Sequence, residues 1–158
     1  TNLCKAINST VDLVGATIRK STGRFKVDMA PNLPLVHMSP RDIEVIVVNL
    51  LQNACQSLSS REESVTIDLA VNEATNDIVL TVSDEGCGIP ENVLPQVKDP
   101  FFTTRRKSGQ TGLGLSVCQS IVQSHGGTLT ISSAVGKGTT ANVTLPIACD
   151  KEESDKNQ

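Results

Sequence analysis

From Ile78 to Pro90 the chain reads Ile78-Val79-Leu80-Thr81-Val82-Ser83-Asp84-Glu85-Gly86-Cys87-Gly88-Ile89-Pro90. Ile78, Leu80 and Val82 alternate with their neighbours, the period of a strand that lays one face on a core. The strand then runs into an acid and two glycines, Gly86 and Gly88, which let a backbone pass close to a ligand. Asp84, at the strand's end, is placed to accept a hydrogen bond from an exocyclic amine. Taken alone, an Asp-x-Gly-x-Gly string reads equally well as a hairpin turn with a solvated acid.

Working upstream, Val65 to Val71 alternates in the same way, so the two strands form a hairpin with Asn72 to Asp77 as its loop. Ser39-Pro40-Arg41-Asp42 marks a helix start, with Ser39 to cap, Pro40 at the first helical position and Asp42 where a capping-box acid reaches back. That helix is expected to run to about Leu58. Its stripe is Ile43, Ile46, Val47, Leu50, Leu51, Ala54 and Leu58, and Asn49 and Asn53 fall together at the stripe's edge, about 120° from its centre. Phe25, Val27 and Met29 alternate as an earlier strand. Ala6, Ile7, Val11, Val14 and Ile18 recur at helical spacing, which predicts one helix from Asn2 to Ile18.

Working downstream, Asn92 to Val97 suits a short helix, and Asp99 to Gly112 has no period and is a loop rich in Thr, Gly and basic residues. Gly109-Gln110-Thr111-Gly112-Leu113-Gly114-Leu115 leads into a helix expected over Leu113 to Ser124, and Gly126-Gly127 ends it. The free N–H groups and positive dipole end of that helix suit a phosphate. No G-x-x-x-x-G-K-[ST] string occurs, and the glycines follow a loop where a dinucleotide fold requires a strand, so neither a Walker loop nor a Rossmann site is indicated. Leu129 to Ser132 and Thr140 to Ile147 are the last strands, around the Gly136-Lys137-Gly138 turn.

The 158 residues suffice for one domain, expected over residues 1–148, with residues 149–158 a polar, disordered tail. Hydrophobic residues are 38% and the only aromatics are Phe25, Phe101 and Phe102, so the core must be aliphatic and no base-stacking surface is available. A net charge of -3 argues against an electrostatic nucleic-acid binder. Cys4, Cys55, Cys87, Cys118 and Cys149 form no Cys-x-x-Cys pair, which fits a reducing, cytoplasmic compartment better than a disulfide framework or a zinc site. No apolar run approaches the roughly 20 residues of a membrane span. The first residue is not Met, so an excised piece is expected, leaving a membrane anchor in the parent chain open.

The motifs in order are Asn49-Leu50-Leu51-Gln52-Asn53-Ala54, Asp84 to Gly88, Asp99-Pro100-Phe101-Phe102-Thr103-Thr104, Gly112-Leu113-Gly114-Leu115 and Gly136-Lys137-Gly138-Thr139. In this order the chain resembles the catalytic, ATP-binding domain of bacterial sensor histidine kinases, within the superfamily that includes DNA gyrase, heat-shock chaperone and mismatch-repair ATPases. The resemblance implies an α/β two-layer sandwich. It comprises a mixed, largely antiparallel sheet of about five strands, covered on one face by about three helices, with an ATP lid over Arg105 to Thr111. It implies ATP and Mg²⁺ as cofactors, with Asn53 as a neutral oxygen ligand of the metal. Asn49 would assist phosphate and water positioning, and Asp84, with Thr139 beside it, would select adenine over guanine. Gly86, Gly88, Phe102, Thr103, Thr104, Thr111, Gly112, Leu113, Gly114 and Leu115 would complete the nucleotide site. Arg105, with Arg106 or Lys107, would neutralise charge developing on the transferred phosphoryl group.

Two positions decide between activities. The superfamily's hydrolases carry Glu where this chain has Asn49, and an amide takes no proton from water, which favours a kinase over an ATPase motor. Many histidine kinases carry a Lys or Arg at the position of Gln56, so phosphate binding must lean on Arg105 to Lys107. Neither His37 nor His125 stands in a phosphoacceptor context, and His125 suits a helix cap. The implied partners are therefore a dimerisation and phosphoacceptor domain of the same parent chain, and a response regulator receiver domain. The fragment is expected to be monomeric and the parent homodimeric. A Ser-directed kinase of the same superfamily and a non-catalytic nucleotide-sensing module are the alternatives.

Overall fold

The structure, a computed structural model, describes residues 1–89 and 114–147. The described elements are α1 (Leu3–Leu13), α2 (Gly15–Ser21), β1 (Phe25–Met29), α3 (Pro40–Ser57), β2 (Val65–Asn72), β3 (Asp77–Asp84), α4 (Gly114–Ser124), β4 (Thr128–Ala134) and β5 (Gly138–Pro146). The strands form one sheet in the order β1-β2-β3-β5-β4. Strand β1 runs parallel to β2 and every other neighbouring pair is antiparallel, so the sheet is mixed as expected. The helices pack against the sheet to give two layers, and the core between them is aliphatic, built from residues such as Ile43, Val47, Leu51, Ile67, Leu80 and Val143.

Helix α3 forms the middle of the helical layer, in contact with α1, α2 and α4. Its start follows the sequence: Ser39 Oγ accepts the Asp42 N–H at 3.1 Å, with Pro40 in the first turn. Ile43, Ile46, Val47, Leu50, Leu51 and Ala54 are buried along it, as the periodicity predicts, and Asn49 and Asn53 are half-buried. The Asp42 carboxylate lies 3.7 Å from Nε2 of His125. The other ring nitrogen of His125 contacts the Ile121 carbonyl at 2.7 Å, and a carbonyl only accepts, so Nδ1 carries the proton. His125 thus caps the end of α4, and its Nε2 would pair with Asp42 at the start of α3 only in the doubly protonated form.

One expectation is corrected at the amino terminus. The single helix over Asn2 to Ile18 is two helices, which raises the count among the described residues to four. Val14 leaves the helical region (φ -101°, ψ 12°), and its N–H reaches back to Thr10 and Asp12. Gly15, a weak helix former, follows it and carries the Arg19 guanidinium against its open face. Periodicity alone cannot register such a break, because Leu3, Ile7 and Ile18 are still buried on both sides of it.

Strand β3 has both neighbours in place along its whole length. At its end, Asp84 stands opposite Val65 of β2 and Thr139 of β5. A residue there is held on two sides by the sheet ladder, which is what makes the end of this strand a rigid platform. The short helix expected at Asn92 to Val97, the loop after it and the tail from Cys149 lie outside the described residues.

Candidate functional site

Asp84 is half-buried, and its Oδ1 accepts two hydrogen bonds at 2.8 Å, from the Gly86 N–H and from Ser57 Oγ. Ser57 is the last residue of α3 and is buried. The turn after Asp84 is pinned on one side to that helix end, through the Cys87 N–H to the Ser57 carbonyl at 3.0 Å. On the other side it is pinned to the β4–β5 hairpin. The Cys87 carbonyl accepts from the Gly136 N–H at 2.9 Å, and the Ile89 N–H donates to Ser133 Oγ at 2.7 Å.

The glycines of the turn answer to these close approaches. A Cβ at Gly86 would stand 2.2 Å from Ser57 Oγ and 2.5 Å from its carbonyl oxygen, closer than real atoms approach. A Cβ at Gly88, where φ is +75°, would stand 2.0 Å from the Ala134 carbonyl oxygen. What the structure shows is the Ser57 hydroxyl and carbonyl packed against Gly86, and the Ala134 backbone packed against Gly88.

Thr139, across from Asp84, has its hydroxyl 2.8 Å from Ser133 Oγ. Ser133 donates to the Gly138 carbonyl at 2.9 Å and accepts from Ile89, so Thr139 is the donor in the pair and the Ser133 hydroxyl is fully used. Glu85, exposed beside the site, accepts the Ser64 N–H at 2.7 Å. Hydrogen bonds from Ser64, with a smaller contribution from the Arg24 charge, hold the Glu85 carboxyl below its ordinary value. The Cys55 thiol is pushed up, first by burial and then by the charge of Asp84, against an opposing hydrogen bond from Ser21.

Asn49, Asn53 and Ser57 follow one another at four-residue intervals on α3, so they form a column along one side of the helix with about 6 Å of rise between members. The column ends at Asp84. The Asn49 amide donates through Nδ2 to the Val45 carbonyl at 2.7 Å, which fixes its plane and leaves Oδ1 as its acceptor end. Asn49 also borders a groove of about 1130 Å³ between α1 and the first half of α3, lined further by Lys5, Thr10 and Arg41. Asp84 and Thr139 do not border that groove. Gly114 opens α4, and Leu115 packs against the core. Phe102, Thr103, Thr104, Arg105, Lys107, Thr111, Gly112 and Leu113 lie outside the described residues.

Among the described residues no group of three or more His, Cys, Asp and Glu side chains is placed to hold a metal ion. A cation site at Asn53 would take a neutral amide oxygen from that side chain, beside phosphate oxygens and water. That donor set suits Mg²⁺, which keeps several waters and substrate phosphates in its shell. Sequence reasoning missed Ser57 and Ser133. Each is a small polar residue at the end of a regular element, and only the pairing of distant segments shows what it holds.

The sheet's central strand thus ends in a pinned carboxylate, beside a helix carrying a column of polar side chains. The chain belongs to the histidine kinase-, DNA gyrase B- and HSP90-like ATPase family, whose model matches residues 38–148. Within that family it is similar to the ATP-binding domains of sensor histidine kinases. It is 38% identical over 115 residues, 73% of this chain and 17% of the relative, to a putative sensor protein of Shewanella frigidimarina. It is 29% identical over 147 residues, 93% of this chain and 30% of the relative, to the sensor histidine kinase ZraS of Escherichia coli. Among solved structures, the catalytic domain of histidine kinase ThkA superposes with a TM-score of 0.80 at 26% identity, covering 93% of each chain. The chain thus spans less than a third of the length of these curated relatives. No described helix is long and apolar enough to cross a membrane.

Proposed function

We propose that this domain binds Mg-ATP and transfers the γ-phosphoryl group to a histidine on a separate dimerisation and phosphoacceptor domain of its parent chain. A response regulator receiver domain then takes the phosphoryl group, completing a two-component signalling step. The observation that carries the reading is the column on α3. Its first two members are the amides Asn49 and Asn53, and its third, Ser57, meets the Asp84 carboxylate at 2.8 Å. Adenine engaged at Asp84 directs the phosphates along the column, where Asn53 offers an oxygen to Mg²⁺ and Asn49 orients the phosphate end. Bound there, Mg²⁺ supplies charge neutralisation of the phosphate oxygens. Asn49 cannot act as a base for water, so the phosphoryl group is kept for a better nucleophile.

The test has two parts. Calorimetry with ATP, ADP and GTP, with and without Mg²⁺, is expected to show adenine-selective binding whose Mg²⁺ dependence disappears in Asn53→Ala. Addition of a separately expressed dimerisation domain is expected to capture label from γ-labelled ATP with negligible phosphate release. Tight ATP binding with no transfer would replace the kinase by a nucleotide-sensing module.

A further inference from the structure

We infer that Ser57 is a positioning residue for adenine recognition, holding the Asp84 carboxylate in the one orientation that reads the purine amino group. The inference deepens the proposed function and rests on its assignment of Asp84 as the adenine acceptor. It concerns a residue that lies outside every motif in the sequence.

Ser57 is 5% exposed at the C-terminal end of α3, and a buried hydroxyl is costly unless it is hydrogen-bonded. Local structure satisfies it already: the Ala54 carbonyl lies 2.8 Å away, the usual back-bond of a helical serine. Yet the same Oγ stands 2.8 Å from Asp84 Oδ1, on a strand 27 residues further along. A hydroxyl has one proton, and of two acceptors at equal distance the ionised carboxylate is the stronger. The proton therefore goes to Asp84.

The serine has no room to turn away. A Cβ on Gly86 would lie 2.2 Å from Ser57 Oγ, so the turn backbone closes the side of the hydroxyl that Ala54 and Asp84 leave. The Gly86 N–H is the second donor to the same Oδ1. Two donors arriving at one oxygen from different elements, a helix end and the turn, stop rotation of the carboxylate about its Cβ–Cγ bond. The N–H bonds of an amino group on a flat ring lie in the ring plane and are read only by an acceptor near that plane, so fixing the carboxylate is what turns a charge into a selective contact.

The experiment measures calorimetric affinity for ATP and for purine riboside triphosphate, which is ATP lacking the amino group. The proteins compared are the unmodified chain, Ser57→Ala and Asp84→Asn. The unmodified chain is expected to prefer ATP. Ser57→Ala is expected to lose about tenfold in ATP affinity while its affinity for the analogue stays within about twofold. A structural role alone would lower both affinities together, and that result, or no loss at all, would overturn the inference. The Asp84 assignment is judged separately. Loss of ATP preference in Asp84→Asn with none in Ser57→Ala leaves it standing and removes only Ser57. No preference in the unmodified chain removes both. Should Ser57→Ala fail to fold, Ser57→Cys keeps the side-chain volume with a weaker donor, and a smaller selective loss in the same direction is expected.

Discussion

Gly88 and Gly136 offer a matched pair for measuring what close backbone packing contributes to the turn after Asp84. Their φ values are +75° and +78°, so alanine at either position meets nearly the same left-handed penalty, on the order of 1–2 kcal/mol. Their surroundings differ. Nothing lies within 4 Å of a Cβ on Gly136, whereas a Cβ on Gly88 would stand 2.0 Å from the Ala134 carbonyl oxygen. Relieving that overlap requires a backbone shift of more than about 1 Å, since contacts under 3.0 Å are essentially never seen. The Ala134 carbonyl accepts the Lys137 N–H at 3.0 Å, and the Ile89 N–H next to Gly88 donates to Ser133 at 2.7 Å. Losing both bonds adds about 2 kcal/mol. Gly88→Ala is therefore expected to cost about 3–4 kcal/mol and Gly136→Ala about 1–2 kcal/mol. The assay is urea unfolding followed by circular dichroism, with equal slopes required for the comparison. Equal losses in the two variants would refute the argument, because they would show that the turn and the hairpin separate without resistance.

Three further outcomes follow from the packing and hydrogen bonding already described. Ser39→Ala removes the acceptor of the Asp42 N–H at 3.1 Å and is expected to destabilise the domain by about 1 kcal/mol in urea, with Ser39→Asp close to neutral. The Glu85 carboxyl titrates below its ordinary 4.5 in the folded state. Its stabilising contribution is thus present above that value and is lost as pH falls through the folded pKa, so Glu85→Gln should slightly lower stability at pH 7, leave it little changed below the folded pKa, and thereby flatten the acid limb of a stability profile. The Cys118 thiol is pushed up to about 12 by burial, while Cys87 is exposed. Iodoacetamide at pH 8 should label Cys87 in the native chain and spare Cys118, and peptide mass mapping showing comparable labelling would contradict the packing of α4.

How much of this was legible beforehand depends on the range of the interactions involved. Helix α3 was readable because its stripe, its Ser39 cap and its Pro40 start are local facts, and the structure keeps all three. The β2–β3 hairpin was readable because two alternating runs are joined by a short polar loop. The break at Val14 was hidden, since burial continues through it and only a single residue departs from helical angles. The glycines after Asp84 were legible as a place where backbone comes close to something. The sequence, however, could not say that Ser57 and Ala134 are what come close, because those residues are 29 and 46 positions from Gly86 and Gly88. The same limit explains Ser57 itself. Its hydroxyl has an ordinary local partner in Ala54, so no pattern along the chain marks it. Its second partner exists only because β3 ends at Asp84, level with the last turn of α3. A column of polar residues on a helix is common, and what gives this one a chemical direction is that its last member touches the carboxylate at the end of the sheet's central strand.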